Sequence, residues 1–410
     1  MRPTYAEIKL AALVHNYTLL EATVQRHAGK TAGLLAVIKA NAYGHGLVLC
    51  GQALAAAGAT WLGVTSVDEA LQLRNGLRSV PQQPGTPRSP RHLAPRILAM
   101  SGFWPGEEGA LLQSGITPQV WESWHLSLLD AAARRAGLGS RSTPVHLEID
   151  TGMSRQGVAP DAALAALLAS AGLGEPDSPL WVEGVLTHFS SPGADSAVMQ
   201  AQIDRFAEAL EQLRQAGVRP ALVHAGNSVN AGEGAGLTQL AALAHAAGAK
   251  LLARPGLALY GIGAVEFADQ QPTALQPVMT WKTEITSLRD IQPGTSVGYD
   301  ETFISERPMR LALVPAGYAD GLHRLLSGRG SMLVRGHRVP IVGRVSMDQS
   351  VLDVTAVPQA ALGDPVVIMG SQSGAHGNAQ VPVQEHAALC GTIPYEIFCA
   401  VAARVQRIAV

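Results

Sequence analysis

At 410 residues the chain is long enough for roughly two or three domains, and 47% hydrophobic against 15% charged residues leaves ample apolar material to bury. Thirty basic and thirty-two acidic residues balance to a net charge of −2 with no long run of either sign, which argues against a broad nucleic-acid-binding surface. The cysteines Cys50, Cys390 and Cys399 are odd in number and lack CxxC spacing, and the histidines show no ligand spacing, so neither a disulfide framework nor a metal site is expected.

The N-terminal stretch carries only a short apolar run, Leu10 to Val14, and the acidic Glu7, unlike a secretory leader. No run of eighteen apolar residues occurs, so no membrane span is expected and the cytoplasm is the expected location. From about residue 33 to residue 260, short apolar runs alternate with amphipathic segments. The runs are LLAVIK, WLGVTS, RILAM, TPQVW, VHLEID, VEGVLTHF, ALVHAG and KLLARPG. Helix patterns such as VDEALQLRNG, HLSLLDAAARRAG, DAALAALLASAG and MQAQIDRFAEALEQLRQAG separate them. Buried runs joined by helical crossovers are what a parallel sheet requires, and eight in succession predict a closed (β/α)8 (TIM) barrel, placed at 10–265. The proline-rich stretch Ser79 to Pro95 reads as a surface loop insertion.

After about residue 270 the character changes to extended, β-branched segments with turns between them, VMTWKTEITSLRDI, MRLALVPAGY and SMLVRGHRVPIVGRVSMDQSVLDVT among them. Helical patterns return only in the last twenty-five or so residues. An all-β C-terminal domain is predicted at 266–410, joined by a strand from residues 1–9.

Lys39 ends the buried run Leu34–Ile38 and precedes the turn-like Ala40-Asn41-Ala42-Tyr43-Gly44-His45-Gly46. Active-site groups of such barrels project from the C-terminal ends of strands. Low dielectric there lowers an amine's pKa and frees it for Schiff-base chemistry, although a lysine can also snorkel from a strand end to solvent.

The words around Lys39 carry more. AVIKANAYGHG at 36–46, THF at 187–189, HAGNS at 224–228, RPGLALYG at 254–261, VGYDETF at 297–303, PAGYADG at 315–321, VGRVSMDQ at 342–349 and TIPYE at 392–396 together resemble the alanine racemases, in that family's order along nearly the whole chain. The resemblance implies pyridoxal 5′-phosphate bound to Lys39 as a Schiff base, with Lys39 and Tyr299 as the two catalytic bases on opposite faces of the substrate. It implies Arg254 facing the cofactor's ring nitrogen, His188 beside the ring, and Tyr43, Ser228, Gly256, Leu257 and Tyr395 around the phosphate. It further implies Arg155 and Met347 at the substrate carboxylate and Tyr318 at the entrance, with Arg324, Arg344 and Ile393 farther out. The family's dimer has composite sites, so Tyr299, Tyr318 and Met347 are expected to serve the Lys39 of a second copy.

The implied reaction is interconversion of L- and D-alanine supplying D-alanine for peptidoglycan. The alternatives are a broad-specificity or serine racemase and, remotely, a non-catalytic pyridoxal-phosphate carrier. Two departures stand out. Many members have a carbamylated lysine seven residues before the arginine, where this chain has Glu148, which is expected to brace Arg155 directly without a carbamate, the alternative being that Glu148 points elsewhere and an anion fills the gap. SSPGADS after Phe189 replaces a short acidic stretch, leaving the entrance aspartate unassigned between Asp195 and none.

Overall fold

The eight apolar runs close on one another. In the computed structural model, which describes residues 2–78, 94–170, 173, 175–190, 197–234, 236–263, 275–374 and 377–410, the chain divides into two compact units. One holds Ala11–Ala42 and Leu47–Gln276; the other holds Met1–Leu10, Tyr43–Gly46 and Pro277–Val410. Most of the expected insertion (residues 79–93) and Asp195 lie outside the described residues.

The first strand, β1 (Tyr5–Ile8), belongs to the second unit. The first unit is built on β2 (Gly33–Val37), β3 (Trp61–Val64), β4 (Arg96–Ala99), β5 (Thr117–Val120), β6 (Thr143–Glu148), β7 (Leu180–Leu186), β8 (Leu222–His224) and β9 (Lys250–Ala253). These pair in parallel in sequence order, and β9 returns to β2 through Gly33–Leu252 and Leu34–Ala253, closing the predicted barrel. Helices cover it because their apolar residues fall on one stripe. In Ala197–Gln215 the buried residues are Met199, Gln202, Ile203, Phe206, Ala209, Leu210 and Leu213, which recur at three- and four-residue spacing. Where such barrels are commonly filled by branched apolar side chains, this interior includes Gln119, His146, Glu148, Glu183, His224 and Arg254, all buried.

The second unit is mostly strand: β10 (Met279–Glu284), β11 (Ser287–Ile291), β12 (Met309–Val314), β13 (Ser331–Val334), β14 (His337–Val342), β15 (Ser350–Asp353), β16 (Pro365–Gly374), β17 (Gly377–Val381) and β18 (Gln406–Ala409). The sheet runs β11-β12-β15-β14-β13-β16-β10-β1-β18, with β17 beside β16. Two short helices, Val383–Cys390 and Pro394–Ala400, complete it near the C-terminus. The β13–β14 hairpin turns through Arg335 and Gly336, both at positive φ (51° and 81°), the two-residue geometry that matches strand twist. Among the described residues no helix is long and apolar enough to cross a membrane.

Candidate active site

Lys39 sits where the sequence puts it, directly after β2 and the fully buried Ile38, whose amide donates to the Gly63 carbonyl at 2.8 Å. The chain then enters a left-handed helical turn. Ala40, Asn41, Ala42 and Tyr43 have φ of 52°, 54°, 55° and 51°, a conformation costing an L residue about 1–2 kcal/mol each. The surroundings offset that cost. The Glu69 carboxylate accepts from the amides of Asn41 and Thr65, each at 3.0 Å, and the Asn41 side chain accepts from Leu47 N at 2.8 Å. Gly44 (φ 77°) lies so close to Phe398 that a Cβ there would stand 2.1 Å from its carbonyl oxygen, so the AYGHG sequence needs glycine at this point.

Across the barrel mouth, β7, β8 and β9 deliver a guanidinium held by four acceptors. Arg254 Nη1 donates to the His224 carbonyl and to His224 Nδ1 (3.4 Å), and Nη2 donates to Thr187 O (2.7 Å) and His188 Nδ1 (3.1 Å). Burial lowers the Arg254 pKa to about 10, opposed by the charge of Glu148, so the group stays protonated at neutral pH. His188 is pushed down to about 3 by burial and then by the positive charges of Arg254, Arg155 and Lys39, and is neutral. Arginine only donates, so His188 must present Nδ1 as an acceptor and carry its proton on Nε2. The same interactions bring Lys39, Arg155, His188 and Arg254 into one electrostatic cluster.

After β8 and β9 the backbone amides of Gly256 and Ala258 converge on the Ser228 hydroxyl at 3.0 and 3.2 Å. Ser228 opens a short helix capped by Asn227, and Leu257 opens a 3-10 turn. Converging amides beside a hydroxyl that keeps its own proton are a donor set suited to phosphate oxygens. A ring with one acceptor nitrogen suits the Nε–H of Arg254, the donor that the four acceptors on Nη1 and Nη2 do not take up. By these two observations the residues present fit pyridoxal phosphate.

Glu148 departs from expectation. It is buried, but Gln119 and Gln156 (2.7 Å) donate to its Oε2, and among the described residues it makes no ion pair with Arg155. The reason is the 150–157 loop. Asp150 Oδ1 accepts from the amides of Gly152, Met153 and Ser154 at 2.9, 2.9 and 3.1 Å, and Ser154 and Gly157 are left-handed (φ 55° and 108°). This curl turns Gln156 toward Glu148 and leaves Arg155 exposed. Burial pushes the Glu148 carboxyl up to about 7, against the Gln156 hydrogen bond and the charges of Arg254 and Arg155.

The other expected residues lie in the second unit. Tyr299 is 67% exposed on a 3-10 turn, Tyr299–Glu301, in which Asp300 and Glu301 have positive φ. Val297, anchored in a cluster with Ile291, Met309, Leu311 and Val342, and the ion pair Arg344–Asp300 (3.1 Å) hold that turn. Tyr318 and Met347 are exposed on two turns tied by Tyr318 N to Ser346 O (3.0 Å) and Ala319 N to Met347 O (2.9 Å). Asp320, only 1% exposed, braces them by accepting from Gly317 N (2.9 Å), Arg2 (2.8 Å) and Arg404 (2.7 Å). The ring of buried Tyr43 lies 5.9 Å from that of Tyr395, and burial, Tyr395 and Cys399 all raise the Tyr43 hydroxyl's pKa. Arg324 and Ile393 are exposed. Glu69, Gln119, Asp150, Gln156, Glu183 and Asp320 were not singled out by sequence, because each works through partners far along the chain or through backbone amides. His224 and Asp320 did lie in motifs already in view, HAGNS and PAGYADG.

Two family profiles match the chain: alanine racemase, N-terminal domain, over residues 8–264, and alanine racemase, C-terminal domain, over residues 278–409. An alanine racemase of Syntrophobacter fumaroxidans is 38% identical over 402 residues, covering 98% of this chain and 96% of that one. The solved alanine racemase of Streptomyces coelicolor is 33% identical with a TM-score of 0.81, covering 100% of this chain and 98% of the other. That of Bartonella henselae, solved with covalently bound pyridoxal phosphate, is 28% identical with a TM-score of 0.78, covering the whole of both chains.

Proposed function

The chain belongs to the alanine racemase family, and from that premise we propose that it interconverts L- and D-alanine with pyridoxal 5′-phosphate held covalently through Lys39. The observation that carries this reading is the four-acceptor seat of Arg254 beside neutral His188, with Lys39 and Arg155 in electrostatic reach. When bound, the cofactor supplies an electron sink for the charge that develops at the amino acid's α-carbon.

Everything else falls to the protein. Ser228 and the amides of Gly256, Leu257 and Ala258 would hold the phosphate, joined by the hydroxyls of Tyr43 and Tyr395. Arg254, which keeps its proton at neutral pH, would donate to the ring nitrogen and so leave it unprotonated, which would restrain the sink and disfavour side reactions such as transamination. Arg155 pairs with the substrate carboxylate, helped by the backbone at Met347 of a second copy. Lys39 exchanges the α-proton on one face and Tyr299 of a second copy on the other, with Tyr318 lining the entrance, so that a homodimer has two composite sites. The D-alanine formed serves peptidoglycan supply.

The test is exchange in deuterated water. L-alanine should give D-alanine carrying α-deuterium, and Lys39→Ala should abolish both cofactor attachment and turnover. Wild-type protein that holds the cofactor at Lys39 yet yields no D-alanine would overturn the proposal.

A further inference from the structure

Part of the polar interior of the barrel forms one continuous chain of hydrogen bonds. At its far end lie Arg96 and Trp61, the first residues of β4 and β3; the Arg96 guanidinium sits 4.3 Å from the Trp61 ring centre and its side chain is 40% exposed. Arg96 donates to Thr117 Oγ1 (2.9 Å) and to Glu183 Oε1. Glu183 Oε2 meets His146 Nε2 at 3.4 Å, His146 Nδ1 meets His224 Nε2 at 2.9 Å, and His224 Nδ1 meets Arg254 Nη1 at 3.4 Å. His146 and His224 are fully buried.

The direction of every bond in this chain is forced. Arginine has no acceptor, so Arg254 makes His224 Nδ1 accept, and the His224 proton must then be on Nε2. His146 Nδ1 accepts that proton, so His146 carries its own on Nε2 and gives it to Glu183. Arg96 also only donates, so Glu183 is the single sink toward which both ends point. Burial lowers the pKa of both imidazoles, keeping them neutral, as this pattern requires. Burial opposes the charge on Glu183, but the hydrogen bonds from His146 and Arg96 outweigh it and hold the carboxyl below its ordinary value.

We propose that Glu183, anchored by Arg96 at the opposite mouth of the barrel, is a positioning residue that fixes the tautomers of His146 and His224 and through them the guanidinium of Arg254. Removing this acceptor strands the His146 Nε2 proton in a dry interior. His146 relieves that by moving its proton to Nδ1, where it opposes the His224 Nε2 proton, and the conflict passes up the chain to Arg254. The consequence for turnover rests on the role proposed above for Arg254; the tautomers do not.

The experiment is nitrogen NMR of the full-length protein carrying 15N-labelled histidine, with and without pyridoxal phosphate, assigned through His146→Asn and His224→Asn. Wild type should show both residues neutral and protonated on Nε2. Glu183→Leu should shift both residues away from that pattern and lower kcat/KM about tenfold. A wild-type spectrum with either histidine protonated on Nδ1 or on both nitrogens overturns the proposal without any variant, as does a folded Glu183→Leu protein with both tautomers unchanged. Expected tautomers in a protein that does not racemise alanine would uphold the relay and refute the function proposed for the site.

Discussion

Glu148 is a buried carboxyl with amide partners in place of a cation, and its titration makes that arrangement measurable. In the unfolded chain it ionises near the ordinary 4.5, whereas in the fold it keeps its proton up to about 7. Between those values the folded state binds more protons than the unfolded one, so the site's contribution to stability is best at low pH and falls as pH rises through about 7. The loss amounts to about 3 kcal/mol. Glu148→Gln keeps one oxygen for both glutamine donors, so denaturant unfolding should show the variant gaining on wild type between about pH 5 and pH 8; parallel profiles would contradict this. Arg254 depends on geometry instead. Lysine has three donors and no planar fork, so Arg254→Lys leaves acceptors unmet and should cost about 1–3 kcal/mol in unfolding measurements, with a larger loss of turnover than of substrate affinity. The type of each of these residues is legible in sequence, but their partners are not: Gln119 and Gln156 come from β5 and from a curled loop, and no local spacing announces them.

Among the elements, the barrel was readable because each strand is a short apolar run and each covering helix has its own period. The appended sheet was readable because β-branched segments alternate with turns. The turn after Lys39 was readable too, but not its left-handed conformation. Nothing in the local sequence Ala40-Asn41-Ala42 signals that hand, and Glu69 and the side chain of Asn41 help make left-handed backbone tenable there through contacts beyond the turn. Two results test this. Ala40→Gly, at an exposed position, should raise stability by up to about 1 kcal/mol, the reverse of glycine's effect in a right-handed helix, because relief of left-handed strain exceeds glycine's entropic cost. Glu69→Ala strips acceptors from two backbone amides and should lower the melting temperature while speeding hydrogen exchange at Asn41 and Thr65. A destabilised Ala40→Gly protein would show that the turn is not strained. The second unit has a counterpart in Asp320, whose grip on Gly317, Arg2 and Arg404 sets the turns bearing Tyr318 and Met347.

In the whole molecule, the composite sites proposed for the dimer can be reconstituted by mixing. Lys39→Ala and Tyr299→Phe chains, each inactive alone, should regain up to about a quarter of wild-type activity when unfolded and refolded together, since half the dimers are mixed and each mixed dimer has one intact site. No recovery would mean that both bases act within one chain. Alanine racemisation itself is decided by chiral chromatography of L-alanine and L-serine incubated separately with cofactor-loaded protein. D-alanine should appear far faster than D-serine. Comparable rates would make this a broad-specificity racemase, and the absence of any D-product from cofactor-loaded protein would refute racemase activity altogether.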